Sequence, residues 1–209
     1  QMHGSVLIDD DGTPTLDAVP LWNDKRTVPQ LDAFIAREGT ARGLALSANM
    51  PAPAWPAFKL AWIAENRPEA LARATTLLMP KDWINYKLTG VRAQDPTEAS
   101  LSYLMDWRSR TWSDELCDMV GVPRSLLAPL KNPGEVLGGL EPRVAAGLGL
   151  AAGLPVLVGA GDYPMALLGS GVIRSGMGSD VTGTSSIITL LHDDALVDVG
   201  AHAGADHAG

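Results

Sequence analysis

The sequence has 209 residues and a net charge of −8, with 46% hydrophobic and 19% charged residues. This composition excludes extensive disorder, and the length allows one large domain or two small ones with a sizeable core. Because the 16 basic residues are scattered, we expect neither a nucleic acid nor an anionic membrane surface as a partner. The single cysteine, Cys117, excludes an internal disulfide and a Cys-rich metal site, and its amphipathic surroundings predict a buried structural thiol.

The opening residues and the lone cysteine bear on the cellular compartment. Residues 1–4 lack the charged-then-apolar pattern of an export signal, and no apolar run reaches membrane-spanning length. One unpaired cysteine fits a reducing compartment. We therefore expect a cytoplasmic protein.

The first predicted element is a strand at residues 5–8, which follows so soon after Gln1 that the chain resembles one entered midway. The turn-forming residues 9–14 predict a hairpin that pairs this strand with residues 18–22.

Helices and short strands then alternate, which predicts a mixed α/β fold. Proline near helix starts and glycine after helix ends predict helices at residues 29–37, 81–88 and 142–148. Proline at the start and the apolar residues that follow predict another at residues 56–66, with a further helix restarting at Pro68 and a strand at residues 75–79. Residues 95–98 resemble a capping box with proline at the first helical position, and Ser113 is expected to cap the helix that carries Cys117. A Gly-rich hairpin is predicted at residues 176–191.

The segment at residues 154–162 carries the first chemical candidate. It predicts a strand buried on both faces that ends in small residues and delivers Asp162 to an open position. Ligands gather just past the carboxyl ends of strands in open α/β sheets, so Asp162 is a candidate catalytic base. The alternative is that Asp162 only caps the helix predicted at residues 163–168.

The second candidate is the turn of the Gly-rich hairpin, Gly183, Thr184 and Ser185. Its backbone N–H groups and hydroxyls could bind a phosphate without adding bulk, although an ordinary hairpin turn has the same composition. After Leu191 the sequence becomes rich in Ala, Gly, His and Asp. The spacing of His192, His202 and His207 fits no tight metal site, so residues 192–209 are interpreted as a tail or the start of an interdomain connection.

These residues resemble the FGGY family of carbohydrate kinases, and within it the kinases of xylulose. The resemblance extends from residue 1 to about Leu191 and rests on the following segments in the family's order: residues 1–4 (QMHG), 21–27 (LWNDKRT), 59–62 (KLAW), 79–83 (MPKDW), 87–90 (KLTG), 95–100 (DPTEAS), 159–162 (GAGD) and 183–185 (GTS).

The resemblance implies a sugar kinase built of two actin-like ATPase (ribonuclease-H-like) domains, with residues 1–191 as most of the first. ATP and Mg²⁺ would bind with a small sugar in the cleft between the domains, and Asp162 would take the proton from the accepting hydroxyl. The implied contacts are Met2 and His3 with a ketose, most simply D-xylulose; Trp22, Asn23 and Asp24 in or behind the sugar pocket; and Gly183, Thr184 and Ser185 with the ATP phosphates.

The sequence departs from the family in two ways. The opening Asp-x-Gly-Thr phosphate loop and the second domain are absent from the 209 residues, so we expect this chain alone to lack half of an ATP site. Tyr163 stands where the xylulose kinases usually carry an amide, which puts the sugar in doubt. Another pentulose, a hexulose or a polyol therefore stays open, as do a non-catalytic sugar-binding module and a homodimer.

Overall fold

The computed structural model describes residues 2–182 and 186–193 as a mixed α/β chain. Its helices are α1 (Val28–Glu38), α2 (Ala41–Ser47), α3 (Pro56–Asn66), α4 (Pro68–Arg73), α5 (Pro80–Thr89), α6 (Pro96–Ala99), α7 (Asp114–Val120), α8 (Pro142–Leu148) and α9 (Asp162–Gly169), with a 3₁₀ turn at Arg124–Leu126. Its strands are β1 (Val6–Ile8), β2 (Thr76–Leu78), β3 (Met105–Asp106), β4 (Thr111–Trp112), β5 (Val136–Gly139), β6 (Pro155–Leu157), β7 (Gly178–Thr182) and β8 (Ser186–Leu190).

The positions of proline and glycine in the sequence predicted the bounds of several helices. The predicted bounds of α3 and α8 are confirmed, and those of α1 and α5 are within one residue. Proline lies in the first turn of all four helices, and glycine follows α1, α5 and α8, whereas Arg67 follows α3. The predicted hairpin of β7 and β8 is also confirmed. No pattern in the sequence predicted α2, β3, β4 or β5, all of which are short.

The predicted hairpin at the start of the chain is wrong. β1 pairs antiparallel with β2, and a single bridge from Ile8 to Pro14 is what remains of the expected local pairing. The reason is burial: all three residues of each strand are buried, whereas Trp22, in the expected partner segment, is 54% exposed. Pairing two apolar strands removes more apolar surface from water than the local turn would.

The burial predicted for the 154–162 segment is also wrong in part. β6 pairs antiparallel with β5, and Leu157 is 53% exposed, while Val158 just beyond the strand is buried. Within the described residues, β5 and β6 form a two-stranded sheet, and Val136 of β5 is 56% exposed as well. None of the helices in the described part of the chain has the length and apolar character that a membrane crossing requires.

An aromatic cluster of Phe34, Phe58 and Tyr103 lies at the centre of the main core. The rings of Phe34 and Phe58 meet edge to face at 5.2 Å, and Tyr103 lies 5.7 Å from Phe34. Gly43 of α2 lies against the Tyr103 hydroxyl so closely that a Cβ atom there would come within 1.9 Å of it. Cys117 packs in the same core, and burial raises its pKa to about 11, which confirms the predicted structural thiol.

The Tyr103 hydroxyl gives a test of this core. It is buried without a hydrogen-bond partner among the described residues, whereas the neighbouring Ser102 hydroxyl donates to Ala99 and accepts from the Leu104 N–H. We expect Tyr103→Phe to leave the free energy of unfolding unchanged or raise it, and Ser102→Ala to lower it by about 1–3 kcal/mol. Urea denaturation of both variants checks this, and a larger loss from Tyr103→Phe would contradict it.

Candidate active site

A cavity of about 490 Å³ lies at the start of α9. Five of the residues that the sequence singled out line it together: Met2, His3, Trp22, Asp162 and Tyr163. Trp55, Leu101 and Ile187 complete the lining. The fold thus brings the first residues of the chain, the segment before α1 and the β6–α9 junction to one place.

Asp162 presents a carboxylate that the helix does not use. The sequence predicted that Asp162 could cap α9, but Gly161 occupies the cap position and Asp162 is the first residue of the helix. The carboxylate is exposed and makes no hydrogen bond to any described residue. It therefore faces the cavity free to accept a hydrogen bond or a proton from a ligand.

His3 lies opposite as a neutral imidazole. Burial lowers its pKa to about 4, the charge of Asp162 opposes this and the charge of Lys59 reinforces it. The ring meets Trp55 edge on at 5.3 Å, and the buried Nδ1 atom has no hydrogen-bond partner among the described residues. An unpaired polar atom in a cavity wall is costly unless a ligand or water satisfies it. His3 also has a φ of 60°, in the left-handed region.

The backbone of Gly161 lies close to the side chain of Met2, which lines the cavity. Met2 is buried, and a Cβ atom at position 161 would lie 2.6 Å from its Cε atom. The backbone before Asp162 passes directly over the end of the Met2 side chain, so a larger residue at position 161 would displace that end.

Trp55 is a cavity residue that the sequence reasoning missed. Its indole N–H donates to the carbonyl of Met50 at 2.8 Å, which fixes the ring against His3. The sequence does place Trp55 immediately before Pro56, and Trp55 is the N-cap residue of α3.

Asn23 and Asp24 lie outside the cavity. Asp24 accepts a hydrogen bond from Arg26 Nε at 2.7 Å, and this bond holds the pKa of Asp24 below its usual range. The buried Lys59 ammonium donates to the carbonyl of Asp24 at 2.8 Å and to that of Pro53 at 3.0 Å. Lys59 thereby ties together the loops that carry Trp22 and Trp55, so Asp24 supports the wall from behind. Asn23 is exposed.

The predicted phosphate-binding turn, Gly183, Thr184 and Ser185, lies outside the described residues. The strands on either side are described, and the Tyr163 hydroxyl forms a hydrogen bond with Thr189 of β8. This bond attaches the first turn of α9 to the hairpin. Tyr163 therefore contributes its ring to the cavity wall while its hydroxyl is already partnered.

A cluster of buried ionisable groups, Lys81, Asp82, Asp95 and Glu98, lies beside the cavity and is here called the buried charge cluster. Lys81 pairs with Asp82 and, at 3.0 Å, with Asp95. Burial alone would lower the pKa of Lys81, but these two carboxylates raise it. Burial raises the pKa of Asp82 to about 6, and burial with the nearby charge of Asp82 raises that of Glu98 to about 8.

The predicted capping box at residues 95–98 is half right. Asp95 caps α6 by accepting from the N–H groups of Thr97 and Glu98. Glu98 does not reach back to Asp95; its Oε2 atom accepts from the His3 N–H at 3.4 Å. The reason is that His3 lies beside α6 in the fold and needs an acceptor for its buried N–H group.

The Mg²⁺ that is expected to bind with ATP is assigned to no residue of this chain, and it stays a prediction. The described residues contain no group of three or more His, Cys, Asp or Glu side chains arranged to bind a metal ion. The carboxylates of the buried charge cluster are occupied by Lys81 and backbone donors, and Asp162 stands alone in the cavity.

The fold and the cavity define an α/β domain with an exposed carboxylate in a cavity at a strand–helix junction. Residues 1–169 match the N-terminal domain of the FGGY family of carbohydrate kinases. The chain belongs to this family.

The relatives are longer than this chain. It is 31% identical over 194 residues to the xylulose kinase of Bacillus subtilis (strain 168), covering 93% of this chain and 38% of that protein. It is 39% identical over 147 residues to the autoinducer-2 kinase of Klebsiella pneumoniae subsp. pneumoniae, covering 70% of this chain and 26% of that protein. The xylulose kinase of Rhodospirillum rubrum has a similar structure, with a TM-score of 0.87, 29% identity, and coverage of 93% of this chain and 40% of that one. These matches confirm the predicted actin-like α/β fold.

The raised pKa of Glu98 predicts how the free energy of unfolding changes with pH. Folded Glu98 keeps its proton up to about pH 8, whereas the unfolded chain loses it near the ordinary value of 4.5. Between these values the folded state holds more protons, so the contribution of Glu98 to stability falls as pH rises. Glu98→Gln cannot ionise and should gain stability relative to the unmodified protein across this window, by at most ~1.4 kcal/mol per pH unit.

Urea denaturation at about pH 5 and about pH 8 measures the effect, with the exposed Glu69→Gln as the matched control. A difference between Glu98→Gln and the unmodified protein that stays constant with pH would contradict the assignment.

Proposed function

We propose that this chain, with residues 1–191 as the N-terminal domain, binds the sugar in an enzyme that transfers the γ-phosphoryl group of ATP to a ketose. D-Xylulose is the first candidate, with xylulose 5-phosphate as the product. The observation that supports this most strongly is the free carboxylate of Asp162 in one cavity with the unpartnered Nδ1 of His3. Family membership supports the same reaction class.

The chemistry follows from these two groups. A sugar hydroxyl is a weak nucleophile until an acceptor takes its proton, and Asp162 is the acceptor. The hydroxyl oxygen forms a bond to the γ-phosphorus, the bond from that phosphorus to the β-phosphate oxygen breaks, ADP leaves and the proton moves to Asp162. His3 Nδ1 holds a neighbouring hydroxyl, and the rings of Trp22 and Trp55 cover the apolar face of the sugar. Phosphate contacts from Gly183, Thr184 and Ser185 belong to the same proposal.

A different sugar is the second candidate. The autoinducer-2 kinase relative has the higher identity, 39% against 31%, over a shorter match, and Tyr163 replaces the amide expected for xylulose. A non-catalytic sugar-binding module is disfavoured, since binding alone has no need for a carboxylate that neither caps its helix nor pairs with a described cation.

Asp162→Asn tests the base. In the complete polypeptide that carries this sequence, we expect kcat to fall by on the order of a hundredfold or more with little change in the KM for ATP, because a general base contributes about that factor. The matched control is Asp114→Asn, an exposed aspartate that is also the first residue of its helix. Full turnover by Asp162→Asn with D-xylulose, or with whichever sugar proves best, would remove Asp162 as the base.

Tyr163 tests the sugar. Tyr163→Asn should change the ratios of kcat/KM among D-xylulose, L-xylulose, D-ribulose and a polyol by roughly 1–3 kcal/mol, with D-xylulose gaining most. Tyr163→Phe and Thr189→Val each remove only the hydrogen bond between α9 and β8, and both should leave the ranking unchanged. An unchanged ranking in Tyr163→Asn would assign Tyr163 to packing and move the search for specificity to Met2, His3 and Trp22.

A further inference from the structure

The backbone that delivers Asp162 has little intrinsic stiffness. It consists of residues 158–161, here called the 158–161 connection, and contains Gly159 with a φ of 73° and Gly161. Glycine loses more conformational freedom on folding than any other residue. A base placed by such a segment needs anchors from outside it if its carboxylate is to stay in one position.

Both ends of the connection have side-chain anchors. At the first end, the Val158 carbonyl accepts from Lys81 Nζ at 3.2 Å and from Asn85 Nδ2 at 2.7 Å, both on α5. At the second end, the Gly161 N–H donates to Thr97 Oγ1 of α6 at 2.8 Å. Gly161 is the residue directly before Asp162.

A single carboxylate links the two anchors. Asp95 Oδ1 accepts the Thr97 hydroxyl, and Asp95 Oδ2 pairs with Lys81 at 3.0 Å. Since the Thr97 hydroxyl has one proton and gives it to Asp95, its lone pairs are left to accept the Gly161 N–H. Asp95 is fully buried, so water does not compete for these bonds.

We infer that Thr97 and Lys81 are positioning residues, which hold the Asp162 carboxylate at the cavity by fixing both ends of the 158–161 connection through Asp95. This inference rests on the proposed function for its catalytic readout. Neither side chain is among the residues that line the cavity, so both act through the backbone.

Thr97→Val tests the inference in the complete polypeptide, because valine keeps the shape and removes the hydroxyl. We expect kcat to fall on the order of tenfold to a hundredfold, the scale of a displaced catalytic group, with the KM for ATP unchanged. Hydrogen exchange in peptides spanning residues 158–163 should become faster. Thr97→Ser should restore both readouts.

Thr89→Val is the matched control. The Thr89 hydroxyl also donates to an oxygen, the Asn85 carbonyl, and accepts a backbone N–H, that of Val91, but it lies away from the cavity. This variant should lose comparable stability with unchanged kcat. An equal loss of kcat in Thr89→Val, or no loss in Thr97→Val, would overturn the inference.

A double-mutant cycle shows whether Thr97 acts through Asp162. If it does, Thr97→Val should have little further effect on kcat in the Asp162→Asn background, and full additivity would overturn the inference. The failure of the proposed function is a separate result, since Asp162→Asn alone would then keep full turnover. Hydrogen exchange at residues 158–163 still decides the anchoring in that case, and unchanged exchange in Thr97→Val would overturn it.

Discussion

The burial of charge beside the cavity is the constraint on which the arrangement of the site depends. Asp82, Asp95 and Glu98 are each at most 1% exposed, and one ammonium group, that of Lys81, lies among them. A buried carboxylate needs an opposite charge or several hydrogen-bond donors. Lys81 serves the two aspartates, and the remaining carboxyl, Glu98, keeps its proton to about pH 8. Three buried carboxyl groups thus surround one ammonium, and moving either aspartate away from Lys81 would leave a buried charge without its partner.

Hydrogen bonds from α6 connect the buried charge cluster to both sides of the cavity. Glu98 accepts the N–H of His3, which has a left-handed backbone, and Thr97 accepts the N–H of Gly161 next to Asp162. The two residues are neighbours on α6, so a helix of one turn sets the separation between the imidazole and the carboxylate. On the proposed function, the distance from the hydroxyl that His3 binds to the hydroxyl that Asp162 deprotonates is therefore a property of the buried charge cluster as much as of the cavity wall.

The sequence predicted the parts of this structure that depend on local chemistry. Pro56 and Pro142 mark helix starts because their fixed φ suits the first turn. It failed where two distant segments compete for one partner. β1 pairs with β2 and not with the segment after its own turn. Glu98 accepts the His3 N–H, 95 positions away, and does not bond to the cap of its own helix. No local pattern encodes these pairings, since the preferred partner is distant in the sequence and comes close only when the chain folds.

The different roles of the apolar and polar residues in the cavity wall bear on how a sugar is selected. Most of the wall is apolar, with Met2, Trp22 and Trp55 prominent, and the Tyr163 hydroxyl already bonds to Thr189. Apolar walls discriminate weakly between sugars that differ in one hydroxyl, whereas an unpaired buried polar atom rejects a ligand that cannot bond to it. Among the described lining residues, His3 Nδ1 is such an atom. Under the proposed function, the described residues therefore select most strongly for a sugar with a hydroxyl that can bond to His3. The ring of Tyr163 limits the size of the sugar group beside it.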